Sequence, residues 1–266
     1  MTVPAKPTGR LLLVPTPLDH GCDSFSPLDA VLPLATIQAV AALDCWVSEN
    51  AKSTRAFLKR VADVCPLATS VQEQQITELP REAHKKGDHG AAGAARVDAR
   101  ALLAPALQGR DVGLISEAGM PAIADPGSSL VRAAHELGLT VVPLSGPVSL
   151  MLALAASGLN GQHFAFVGYL PREGAARQQR IQELEKLALR TGQTQLFIET
   201  PYRNAALLQA LAQQLQPGTR LAVASGLTLP APQVRSMPAK QWRDVLAKAP
   251  ADAAAWDQPA VFALGA

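Results

Sequence analysis

Cysteine and aromatic residues are scarce in this 266-residue chain, with three cysteines, two tyrosines and three tryptophans. Cys22, Cys45 and Cys65 are scattered and odd in number, which argues against a disulfide framework and against a zinc-binding spacing. Aromatic residues make up 4% of the chain, poor material for a row of rings on which bases stack. Long apolar runs are missing too: Lys, Arg, Gln or Pro interrupts every stretch that would have to cross a bilayer. Met1 to Arg10 is basic without an apolar signal-like core. The expectation is a soluble cytoplasmic protein with no membrane partner. No charge of one sign dominates, since 24 basic residues face 22 acidic ones. That balance neither demands nor excludes a nucleic-acid partner.

Several catalytic signatures are also absent. No G-x-G-x-x-G follows the first apolar run, so a standard dinucleotide fold lacks its fingerprint. There is no Walker A lysine loop, no H-E-x-x-H and no G-x-S-x-G elbow. Phosphoryl and acyl transfer lose most of their support.

What the chain has is 48% apolar residues, enough for one large domain or two modest ones. Its organising stretch is Asp111 to Gly127, D-V-G-L-I-S-E-A-G-M-P-A-I-A-D-P-G. Val112 to Ile115 is the short apolar run of a strand buried on both faces. Small and ring-constrained residues follow, and such a loop lets the backbone approach a ligand and offer its amides. A helix pattern, Ser128 to Leu137, leads to a second apolar run at Leu139 to Pro143 and a second loop at Leu144-Ser145-Gly146-Pro147. Strand, loop, helix, strand, loop is the order of an open parallel sheet that binds at its carboxyl edge.

The same rules applied in order predict strands at Leu11 to Val14, Cys45 to Val47 and, most weakly, Leu67 to Val71. They predict a loop over Asp23 to Pro33, and helices over Leu34 to Leu43 and over Thr54 to Val64, the latter capped by Ser53. Pro80 to Arg96 reads as a surface excursion, and His84, Asp88 and His89 within it lack a second shell to make them metal ligands. No metal is expected. Val97 to Leu107 returns to a helical pattern. Past Pro147 the pattern restarts, with a helix at Val148 to Ala156, a strand at Phe164 to Tyr169 and a helix at Gly174 to Leu189. A strand at Gln195 to Ile198, a turn at Glu199 to Arg203 and a helix at Ala205 to Leu215 come next. Arg220 to Ala224 and Ala260 to Leu264 complete the strands, with a short helix at Trp242 to Leu246. The second half has more strands per helix, pointing to a mixed sheet. The expected domains are 1–145 and 146–266.

Four segments then stand in order: S-E-A-G-M-P-A-I-A-D-P-G, V-V-P-L-S-G-P, F-V-G-Y-L-P and F-I-E-T-P-Y-R. Together they resemble the tetrapyrrole methylase superfamily of S-adenosylmethionine-dependent methyltransferases. Within it they are most similar to the branch of the bacterial 16S ribosomal RNA 2′-O-ribose methyltransferase I. The resemblance implies two α/β domains, a mostly parallel N-terminal sheet and a mixed C-terminal one, with S-adenosylmethionine in a cleft between them, and commonly a homodimer. It carries cofactor contacts onto Pro17, Ala118, Gly119, Met120, Ile123, Val148, Ser149, Glu199 and Leu227, most through the main chain.

Two segments depart from that branch. Its A-E-D-T-R segment is Ser48-Glu49-Asn50-Ala51-Lys52 here, and its R-E-L-T-K segment is Ser225-Gly226-Leu227-Thr228-Leu229. The lost charges bear on a phosphate-rich acceptor more than on the cofactor. A hydroxyl nucleophile wants a nearby base, and Glu49, Glu117, Asp125 and Glu199 are candidates, with Glu49 and Glu199 singled out as catalytic. Asp125 is also expected to brace its loop by accepting backbone N–H bonds, and Glu199 to pair with Arg203. Two further readings stay open: C-methylation of a tetrapyrrole precursor, and a cofactor-binding sensor that has lost catalysis.

Overall fold

In a computed structural model the described residues are 7–80, 98–248, 256 and 258–266. The excursion expected over Pro80 to Arg96, with His84, Asp88 and His89, lies outside them apart from Pro80. Contacts divide the chain into unit 1, Met1–Gly21 with Ser26–Val148, and unit 2, Cys22–Phe25 with Ser149–Ala266.

Unit 1 is built on strands β1 (Arg10–Val14), β2 (Cys45–Ser48), β3 (Gln75–Glu78), β4 (Val112–Ile115) and β5 (Thr140–Pro143). They form one sheet in the order β3-β2-β4-β1-β5, parallel at every pairing. Among the described residues its helices are α1 (Leu28–Val31), α2 (Leu34–Ala41), α3 (Ala51–Ala62), α4 (Ala99–Leu102), α5 (Ala104–Leu107) and α6 (Ser128–Glu136). Alternate strand residues face opposite layers. Leu12, Val14, Trp46 and Ile115 pack with Leu28, Ile37, Leu58 and Val61 of α1 to α3. Leu11, Val47, Val112 and Leu114 pack with Leu103, Ala106, Leu130 and Ala134 on the other side. Burial on both faces explains why β4 is apolar throughout. Gly113 sits opposite Trp46 in the ladder, and a Cβ there would lie 2.6 Å from the indole ring.

The crossovers decide where a ligand meets this sheet. Strand β2 leaves toward the β3 edge through α3, whereas its neighbour β4 leaves the other way, over β1 to β5, through α6. Adjacent strands whose connections diverge open a crevice at their carboxyl ends.

Local expectations needed four corrections here. Loop Asp23 to Pro33 contains α1. Helix α3 starts earlier than Ser53 allows, because Asn50 is the cap, its Oδ1 accepting from the N–H groups of Lys52 and Ser53. The third strand is Gln75–Glu78, not Leu67 to Val71. The pattern over Val97 to Leu107 is two short helices, with Pro105 in the first turn of the second.

Unit 2 carries β6 (Phe164–Tyr169), β7 (Thr194–Glu199), β8 (Arg220–Ser225), β9 (Gln233–Pro238) and β10 (Ala260–Gly265) in the order β6-β7-β10-β8-β9. Only β6 and β7 are parallel; the other pairings are antiparallel. The sheet is therefore mixed, as the sequence led one to expect, with β9 an additional strand. Helix α7 (Ser149–Ser157) packs on β8, β9 and β10. Helices α8 (Gly174–Thr191), α9 (Pro201–Gln214) and α10 (Ala239–Lys248) share a core with Phe197, Leu221, Val223 and Phe262. Phe197 and Phe262 are ladder partners whose rings stack 5.7 Å apart. The helix expected from Ala205 already begins at Pro201, whose ring suits a first turn. Among the described residues no helix is long and apolar enough to cross a membrane.

Candidate functional site

At the carboxyl edge of the unit 1 sheet two loops are tied together. Thr16, past β1, and Gly119, past β4, form an isolated antiparallel bridge. Each donates its backbone N–H to the other's carbonyl, at 2.9 and 3.1 Å. Gly119 takes φ +77°, a conformation that costs a residue with a Cβ, and a Cβ there would come 3.0 Å from Leu18. The bridge holds Pro17, which is buried, beside Ala118 and Met120, which are half-buried. Farther along, Ala122 and Ala124 also lie in the left-handed region, at φ 65° and 64°. Such angles are rare for residues with a side chain, and they fold this loop back so that Ala122 N–H reaches the Pro126 carbonyl. Ile123, at the turn, is 42% exposed.

Three carboxylates gather at the diverging ends of β2 and β4. Glu49 follows β2 directly, and its Oε2 accepts the backbone N–H of Glu117 at 3.2 Å. Glu117 in turn lies 3.5 Å from the His20 imidazole. Asp125, at the far end of the same loop, lies close enough to both carboxylates to feel their charges. Burial, and then the negative charges of Glu49 and Glu117, push its carboxyl up to about 7. An acid poised there holds or releases a proton near neutrality. The sequence marked all three as candidate bases, whereas nothing in it linked His20 to them.

In unit 2 the carboxyl ends of β7 and β8 lie at one edge of the sheet, because Ala260 is the ladder partner of both Glu199 and Ser225. Leu227, half-buried, sits in the turn after β8 at this same edge. Glu199 is the last residue of β7 and 7% exposed. Its Oε1 accepts from Thr200 N–H at 2.7 Å and from Arg203 Nε and Nη2 at 2.9 and 2.5 Å. The expected pair is present, with the Arg203 guanidinium 5.5 Å from the Tyr202 ring. So engaged, Glu199 is a charged anchor for the start of α9 more than a free base. Next to it Asn204, fully buried, donates to the carbonyls of Trp256 and Gln258 and fixes the approach to β10. Val148 ends unit 1 and Ser149 opens α7 in unit 2.

A model of the family described as Tetrapyrrole (Corrin/Porphyrin) Methylases matches residues 32–242. Ribosomal RNA small subunit methyltransferase I of Pseudomonas aeruginosa is 41% identical over 142 residues, covering 52% of this chain and 48% of that protein. The protein of the same name from Mycobacterium tuberculosis is 34% identical over 222 residues, 83% of this chain and 67% of the relative. That of Mesorhizobium japonicum is 31% identical over 227 residues, 85% and 66%. The chain thus spans about half the length of the first of these relatives and about two thirds of the other two. Two solved structures share the fold. Uroporphyrin-III-C-methyltransferase from Thermus thermophilus gives a TM-score of 0.51 at 17% identity, and the methyltransferase CobJ gives 0.54 at 18%. In both cases the match covers 97% of this chain and 94% of the other.

Proposed function

The chain belongs to the tetrapyrrole methylase family, and on that footing we propose that it is a methyltransferase using S-adenosylmethionine, with the ribose 2′-OH of ribosomal RNA as acceptor. The observation that carries this reading is the edge of the unit 1 sheet: a main-chain cradle at Thr16 and Gly119 beside the carboxylates of Glu49, Glu117 and Asp125. The residues suit the cofactor chemically, because a sulfonium and an ammonium are cations and the nearest side chains at the crevice are anionic. When bound, the cofactor supplies a methyl group on an excellent leaving group. Pro17, Ala118, Gly119, Met120 and Ile123 bind it through their loops, and Val148, Ser149, Glu199 and Leu227 belong to the same proposal. The domain boundary of this reading lies at 145/146.

The chain's own contribution is alignment and proton handling. Alignment of the nucleophile supplies much of the acceleration in such a displacement. Asp125 takes the proton that the hydroxyl loses, and its burial, with the charges of Glu49 and Glu117, keeps its affinity for that proton near neutral. Ribosomal RNA is favoured by the names of the relatives. A carboxylate-rich tetrapyrrole is disfavoured, because Arg203 is already committed to Glu199. A homodimer is part of the reading, supported by the exposed apolar side chains Met151, Leu152, Phe164 and Phe166 on unit 2.

The test is calorimetric titration with S-adenosylmethionine, followed by incubation with unmodified small ribosomal subunits and labelled cofactor. Label in 16S RNA at a linkage resistant to alkali is the expected result, since a 2′-O-methyl group removes the internal nucleophile. No cofactor binding at millimolar concentration would sink the methyltransferase reading. Binding without transfer to any acceptor would favour the sensor.

A further inference from the structure

A groove of 440 Å³ lies toward the amino end of β7, between α8 and the β6–β7 edge. Gln195 stands at the start of β7, four residues from Glu199, or about 13 Å along the strand. The floor is apolar, made by Val167 and Leu184 with their neighbours. The rim carries Arg180, Lys186 and Arg190. Arg180 is paired with Glu183, whereas Lys186 and Arg190 have no ion-pair or hydrogen-bond partner among the described residues.

The second observation is Gln195 itself. It is 0% exposed and lines this groove. Its Nε2 donates to the carbonyl and to Oε1 of Gln193, both at 3.0 Å, which fixes the amide's orientation. Its Oε1 is then left buried with no partner. A buried acceptor in that state costs stability until a donor meets it. A neighbouring groove along α8 shares Lys186 and Arg190 but makes no such demand. Its buried carboxylate, Glu185, already accepts from Gln216 N–H and Thr219 Oγ1.

One ligand chemistry meets all three features: a donor for Gln195 Oε1, a flat apolar body for the floor, and an anion for Lys186 and Arg190. We propose that this groove is a nucleotide subsite, in which a base with an exocyclic amine lies on Val167 and Leu184 and its phosphate pairs with Lys186 and Arg190. The nucleotide has two possible sources. One is a unit of the RNA acceptor at a distance from the methylated ribose, which rests on the reading above. The other is a free mononucleotide, which does not.

The test titrates the full chain with adenosine 5′-monophosphate and, separately, with a short oligoadenylate. S-adenosylmethionine is kept saturating so that its own site is closed to adenine. At least one probe is expected to bind, and to bind about tenfold or more weakly to a K186A/R190A variant. That variant changes exposed charges, and its unfolding curve and S-adenosylmethionine binding are expected to match the parent's. Purine ribonucleoside 5′-monophosphate, which lacks the amine, is expected to bind about tenfold more weakly than its adenosine counterpart. Binding of the oligonucleotide alone identifies RNA as the source; binding of both probes identifies the mononucleotide. The proposal is overturned if neither probe binds, if the variant binds undiminished, if S-adenosylmethionine displaces the probe, or if the amine makes no difference. Probe binding by a chain that ignores S-adenosylmethionine would reject the methyltransferase reading and leave the groove assigned.

Discussion

The Glu49 carboxylate holds the backbone N–H of Glu117, 3.2 Å away, and so joins the end of β2 to the first turn of the loop after β4. The bond spans 68 residues of sequence and sets two acids beside a third, Asp125.

The first prediction concerns pH. Because the Asp125 carboxyl is raised in the folded protein, its stabilising contribution is complete below its unfolded value of about 4 and is lost as pH climbs through about 7. The loss has an upper bound of about 4 kcal/mol. Melting curves of Asp125→Asn are expected to lose this slope and to lie above the parent's at pH 8. Glu49→Gln keeps an acceptor for Glu117 N–H but removes one charge, so the transition should move to lower pH. A parent slope unchanged in both variants would contradict this electrostatic account.

The second concerns Glu199 and Arg203. Removing the guanidinium leaves a nearly buried carboxylate without its main partner, so Arg203→Ala is expected to cost about 3 kcal/mol in urea unfolding. Arg203→Lys should recover only part of it, since an ammonium cannot reproduce the fork of Nε and Nη2. A cost below ~0.5 kcal/mol for Arg203→Ala would show that the pair contributes nothing to the fold.

Ala124 offers a test of backbone strain. Alanine usually outperforms glycine, but here φ is 64° and the side chain is exposed. Ala124→Gly is therefore expected to raise stability, by up to about 1 kcal/mol. A drop in melting temperature would mean the left-handed turn is not strained.

The cap of α3 is the simplest to check. Asn50→Ala deletes the acceptor for the N–H groups of Lys52 and Ser53 and is expected to cost about 1 kcal/mol. Ser53→Ala should cost less, because the Ser53 hydroxyl donates to the Asn50 carbonyl and caps no backbone N–H among the described residues. Equal losses would reopen the choice of cap.

Most of the strands and the small-residue loop could be read directly from the chain. Val112 to Ile115, Leu11 to Val14 and Phe164 to Tyr169 announce themselves through apolar or alternating side chains, a local property set by burial. Strands β3 and β9 escaped notice because polar residues dominate them and neither has a buried residue to mark it. Gln75, Thr77 and Glu78 face solvent and need no apolar pattern. The sequence points to Ser53 as the cap of α3 where the structure has Asn50, because only backbone geometry separates two side chains able to accept such hydrogen bonds.

By itself the sequence determined the α/β alternation, the ligand-approaching loop after β4 and the motifs by which the family is known. Each depends on residues close together in the chain, where hydrogen-bonding period and side-chain size act directly. The tertiary structure alone decided that β2 and β4 are neighbours with diverging exits, that Glu49, Glu117 and Asp125 share one crevice, and that Gln195 is buried with an unused acceptor. Those facts follow from strand order and crossover direction. They are set by how whole layers bury their apolar faces, and no contiguous stretch of residues records them.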